Sequence, residues 1–170
     1  MSTRTRGVVV RRGVAGLGVG LAGLVLLSAC TGGPVQIEDP GASALDRAAC
    51  ETFLEAVPDR LASQEQRAVA PADALGAAWG DPAITLTCGV SLPDDFDAFA
   101  TCEEANGVGW FVSSAEREDQ ESDVTFTAAG FRPIVQVHLP ASYRPEGAAA
   151  VISQLAEPVR DHLTLVQPCT

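Results

Sequence analysis

The sequence predicts an α+β domain with one antiparallel four-stranded sheet and two helices packed on one face, in the order helix-strand-strand-strand-strand-helix. Three observations predict it. Apolar residues recur at helical spacing near residues 44–57 and 145–163, and four short β-rich runs lie between them. The links between the runs are short, so neighbouring strands pair antiparallel, and both helices need an apolar surface to bury against. Of the 170 residues, 46% are hydrophobic and 19% charged, which allows one core and argues against disorder.

The first helix is expected from Ala44 to Val57. Leu45, Ala49, Phe53 and Val57 fall four apart, Leu54 lies beside them, and Pro58 ends the run. Residues 62–78 are polar and Ala-rich, and read as loop with a helical turn begun by Pro71. The four strands are Ala83–Val90, Val108–Ser113, Asp123–Ala128 and Pro133–Leu139, separated by turn signals at Pro93-Asp94-Asp95, at the acidic stretch Glu116–Asp123 and at Gly130. The last helix, Pro145 to Leu163, carries Ala148, Val151, Ile152, Leu155, Val159 and Leu163 on one side, and Pro158 is expected to kink it.

The N-terminus reads as an address. Residues 1–12 hold Arg4, Arg6, Arg11 and Arg12 and no acid, and residues 13–27 are uncharged. Leu27-Ser28-Ala29-Cys30 follows at once. A basic start, an apolar stretch and small residues at a cut point mark a secretory signal over residues 1–29, with an uncut anchor as the weaker alternative. The four residues look like a bacterial lipobox, in which the Cys30 thiol carries a diacylglyceryl group and becomes the first mature residue. The Arg11-Arg12 pair raises twin-arginine export, although Gly13-Val14-Ala15 lacks the usual bulky aromatic. Residues 30–43 are expected to be the lipidated Cys and a flexible tether reaching ~20 Å, and residues 44–170 the single domain.

Charge and residue types exclude several functions. The chain has 11 basic residues, every one Arg, and 22 acids. After loss of residues 1–29 the formal charge is −15, so nucleic acid is not an expected partner and the protein should stand off anionic head groups. Without Lys there is no Schiff base and no P-loop lysine. The expected partner is the membrane, through the lipid anchor, together with another envelope protein, and no cofactor is implied.

Cys50, Cys88, Cys102 and Cys169 remain beyond Cys30. In an exported domain they predict two disulfides, and their spacing offers no metal-ligand pattern. An alternating up-and-down path puts all four at one pole, which permits Cys50–Cys88 with Cys102–Cys169 and equally Cys50–Cys169 with Cys88–Cys102. His138 and His162 lie near element ends, with no Gly-x-Ser-x-Gly elbow in the chain to suggest a hydrolase. Asp94, Asp95, Asp97, Glu103 and Glu104 read as a solvated acidic loop. Trp79-Gly80-Asp81-Pro82 is the most distinctive segment. Its expected role is a core aromatic followed by a turn, with a pocket for a cell-wall sugar or peptide as the functional alternative.

Trp79–Gly89 (WGDPAITLTCG), the Cys50 helix ending in Val57-Pro58 and the later Gly107-Val108-Gly109-Trp110 resemble a family of actinobacterial lipoproteins known as domain of unknown function 3515. The resemblance covers most of residues 45–165. It implies that Cys50 pairs with Cys88, and so Cys102 with Cys169. It implies no activity. The expectation for function is a non-catalytic binding or accessory module, anchored on the outer face of the cytoplasmic membrane. A binding protein for a small envelope ligand (sugar, peptide or cation) is the alternative, and a hydrolase is less favoured.

Overall fold

A computed structural model describes Thr3, residues 32–97 and residues 99–169. The rest of the signal stretch, the Arg11-Arg12 pair and Cys30 lie outside the described residues. Residues 32–170 form one compact unit.

The sheet has eight strands rather than the four expected. In chain order they are β1 (Arg60–Leu61), β2 (Gln64–Arg67), β3 (Gly76–Trp79), β4 (Ile84–Cys88), β5 (Cys102–Ala105), β6 (Val108–Phe111), β7 (Val124–Thr127) and β8 (Val135–Leu139). Their spatial order is β1-β2-β3-β4-β8-β7-β6-β5, antiparallel throughout. Two four-stranded meanders therefore meet at the β4–β8 seam. Val137 there lies between Leu86 on one side and Phe126 on the other.

The four expected strands are β4, β6, β7 and β8. The four additional ones lack the alternation that marks a half-buried strand. Gln64–Arg67 and Cys102–Ala105 lie towards the sheet edges and carry mostly polar side chains, whereas Gly76–Trp79 is buried along its whole length. The stretch 62–78 thus holds a hairpin turn, β2, the short strand Val69–Ala70 and most of β3, and is not a loop.

Among the described residues three α-helices accompany the sheet, where two were expected. Helix α1 (Ala44–Leu54) starts at Ser43, whose hydroxyl accepts from the Asp46 amide at 3.1 Å and donates to the Asp46 carboxylate at 2.8 Å. It ends three residues before the expected Val57. Its inner face is set by Cys50 and Phe53, which rotates Leu45 out to 82% exposure, against the expectation that Leu45 is core. The short α2 (Ser114–Glu118) links β6 to β7, and α3 (Arg144–His162) contains Pro158. Helices α1 and α3 touch each other, and Phe53, Val151, Leu155 and Val159 join Leu86, Val137 and Trp110 in one core.

The expected tether differs as well. Val35 and Gln36 pair in parallel with Val69 and Ala70, and the Val35 and Ile37 amides donate to the Ala68 and Ala70 carbonyls at 2.9 Å. Ile37 is buried against Gly76, where a Cβ would lie 2.9 Å from its Cγ2. Residues 35–37 therefore belong to the fold, and Ile37 adds apolar cover over the Gly76 position of β3.

The disulfides are Cys50–Cys88, which ties α1 to β4, and Cys102–Cys169, which ties β5 to the C-terminus. Cys50 and Cys88 are fully buried. Replacing both with Ala should lower unfolding stability by ~2–5 kcal/mol in a urea titration. A non-reducing peptide map should link Cys50 to Cys88, and a Cys50–Cys169 peptide would contradict this arrangement.

Candidate functional site

Trp79 closes β3 with its side chain fully buried in the core, and its Nε1 donates to the Pro58 carbonyl at 2.8 Å. That bond satisfies the one polar atom of the indole. Gly80 takes φ +74°, a conformation costly for any residue with a Cβ, and turns the chain over. Asp81 and Pro82 are exposed. Trp79 and Asp81 point apart, so an aromatic and a carboxylate do not converge on a pocket here. The segment instead buttresses its neighbours: the Asp81 amide donates to the Tyr143 hydroxyl at 3.2 Å.

Tyr143 leads to a cleft beside the Gly80 turn. Its volume is about 510 Å³, and it runs between the β1–β2 turn and the start of α3. One wall is Ala62, Ser63 and Gln64. The other is Tyr143 with Glu146, Ala150 and Gln154, three residues spaced four apart on one helical face. The Gln154 Oε1 accepts from the Ala62 amide at 3.0 Å, which joins the walls. Ala62 and Ser63 have φ +47° and +67°. A two-residue hairpin needs this left-handed backbone, and without Asn or Gly it costs on the order of 1–3 kcal/mol per residue. Glu146 is the one charged side chain among the described lining residues.

Two arginines that sequence patterning passes over organise the region. Arg67 donates to the Gly80 carbonyl at 3.0 Å, to Gly33 at 3.0 Å and to Gly32 at 3.2 Å, fastening the chain entry beside the Gly80 turn. Arg144, 8% exposed, donates to the carbonyls of Asp119, Ser122 and Glu116 and so fixes the α2–β7 loop to the start of α3. Neither is visible as a periodic position, because each acts on backbone oxygens distant in sequence.

The remaining candidates lie elsewhere. His138 meets Asp123 at 3.2 Å on the face opposite the core, with Thr85 and Thr125 as its cross-strand neighbours. His162 is exposed in the last turn of α3. Among the described residues no three His, Cys, Asp or Glu side chains are grouped to hold a metal, and in the acidic loop Asp97 caps the Phe99 amide. A second cavity of about 390 Å³ lies between Phe96 and Cys169. None of the described helices is long and apolar enough to cross a membrane.

Trp79→Ala should cost ~3–5 kcal/mol of stability, because it empties a fully buried site and strands the Pro58 carbonyl. Thermal unfolding checks this, and a variant that melts with the wild type would place Trp79 outside the core.

Comparison with known proteins adds a family and no activity. No curated protein matches the chain, and no solved structure matches it. Residues 13–168 match the family described as "Protein of unknown function (DUF3515)", and the chain belongs to that family.

Proposed function

We propose that the protein is a cell-envelope lipoprotein, held by a lipid on Cys30 at the outer face of the cytoplasmic membrane, and that it acts as a non-catalytic binding or accessory module. The observation that carries this reading is Leu27-Ser28-Ala29-Cys30 directly behind the uncharged residues 13–27. Two disulfides in a domain of this size support an oxidising compartment. Two long acyl chains, at ~0.8 kcal/mol per buried methylene, would hold the protein stably where one would not.

The alternative, a binding protein for a small envelope ligand, is favoured by one feature. The cleft beside Tyr143 has a volume of about 510 Å³, and small-molecule sites span roughly 300–1,000 Å³.

Expression in the native host tests the anchor. The wild-type protein should run with the mature mass plus a diacylglyceryl group and partition into the detergent phase. Cys30→Ala should lose both properties. A variant with the wild-type mass and partitioning would show that the thiol carries no lipid.

A further inference from the structure

We infer that the cleft between the Ala62–Ser63 turn and the first turns of α3 is a binding site for an uncharged saccharide, held at the lipid-anchored pole of the domain. The second half of this statement rests on the lipoprotein reading above.

The chemistry of the walls selects the ligand. Saccharides present closely spaced hydroxyls and apolar ring faces, so they are met by amides, hydroxyls, a carboxylate and an aromatic ring. Ser63, Gln64, Tyr143, Glu146 and Gln154 supply that set around one cavity. The bonds already made leave the required valences open. Gln154 uses its oxygen on the Ala62 amide, so its NH₂ group remains to donate. The Tyr143 hydroxyl accepts from Asp81, so its own proton remains to donate. Glu146 can accept from a pair of neighbouring hydroxyls. Among the described lining residues there is no cation, and a phosphate or carboxylate ligand would face Glu146 unpaired.

The walls are held before any ligand arrives. The left-handed Ala62–Ser63 turn is kept in place by Gln154, and preorganisation of this kind lowers the ordering cost of binding. Ala150, between Glu146 and Gln154 on the helical face, keeps the cleft open because its side chain is short.

Placement follows from Arg67. It links Gly32 and Gly33 to the Gly80 carbonyl. A Cβ on Gly80 would lie 3.0 Å from both Gln64 and the Tyr143 hydroxyl. The chain therefore enters the domain beside the cleft. Cys30 is two residues upstream of Gly32, at most ~8 Å of chain, so an anchored protein holds the cleft near the head groups. A membrane glycolipid and a soluble envelope glycan share the chemistry that the walls recognise.

The test uses the full chain in detergent micelles and again in vesicles. The first arm titrates neutral trisaccharides of glucose, mannose, galactose and N-acetylglucosamine, read by saturation-transfer NMR and calorimetry. The second arm compares phosphatidylglycerol vesicles with and without a glycosyl diacylglycerol. At least one saccharide should bind, and Ala150→Trp, which plugs the cleft, should weaken it by more than ~10-fold at an unchanged melting temperature. Should that variant melt early, Glu146→Gln replaces it, with a weakening of several-fold expected. Binding in both arms assigns recognition to the sugar itself, and binding in the vesicle arm alone assigns it to a glycolipid. No saccharide response up to ~10 mM in either arm, or equal binding by the plugged variant, overturns the inference. Membrane retention without saccharide binding leaves the anchor reading standing. Saccharide binding by a chain without lipid on Cys30 keeps the site and removes the anchor.

Discussion

The β4–β8 seam is the constraint on which the rest of the structure depends. It joins strands whose paired residues, Cys88 and Val135 among them, are far apart in sequence, so its loop-closure cost is met only when the whole core forms. Register there fixes everything beyond it. With Val137 opposite Leu86 and Phe126, the alternate residues Thr85, Thr125 and His138 all fall on the other face. A slip of one residue would bury that polar row and expose the apolar one. The Cys50–Cys88 bond carries the register into α1, because it fixes which side of that helix meets the sheet.

A sheet with α1 and α3 packed on one side leaves the other side to be managed. Ile37 covers the Gly76 position, Phe96 packs edge-on against Phe111 at 5.2 Å between ring centres, and the middle is left to Thr, Gln and His side chains. The entry segment is thereby recruited into the fold. Chain entry, the Gly80 turn, Tyr143 and the cleft are linked through hydrogen bonds of Arg67 and the Asp81 amide. Arg144 secures the start of α3, with Tyr143 immediately before the helix and Glu146 in its first turn, through backbone carbonyls of the α2–β7 loop. The strained β1–β2 turn is held against the same helix by Gln154.

Legibility in the sequence followed the strength of the apolar signal. Strands β4 and β8 alternate buried and half-buried residues without interruption, and the long amphipathic run of α3 is visible as a helix. Strand β3 is all Gly, Ala and Trp, buried on both faces, so it has no alternation to find. Strand β5 is charged, and its signal lay in the turn instead: Asn106-Gly107, with φ +49° and +85°, is a two-residue hairpin sequence that strand periodicity alone does not register. The Trp79 segment was legible as a core aromatic and a turn. The cleft was not, because Gln64 lies about 80 residues from the α3 segment that carries Tyr143 and Gln154, and the two walls meet only through the tertiary path.

The fold begins by Val35, five residues after Cys30, so a lipid on Cys30, as proposed, would hold the cleft close to the membrane rather than on a loose tether. Residue-resolved amide hydrogen exchange on the full chain tests it most directly. The amides of Leu86 and Val137, on the two seam strands, should exchange only by global unfolding, and those of Val35 and Ile37 should be protected well beyond coil rates, because they donate to Ala68 and Ala70. Coil-like exchange at Val35 and Ile37, beside a fully protected seam, would show a free tether and contradict the claim.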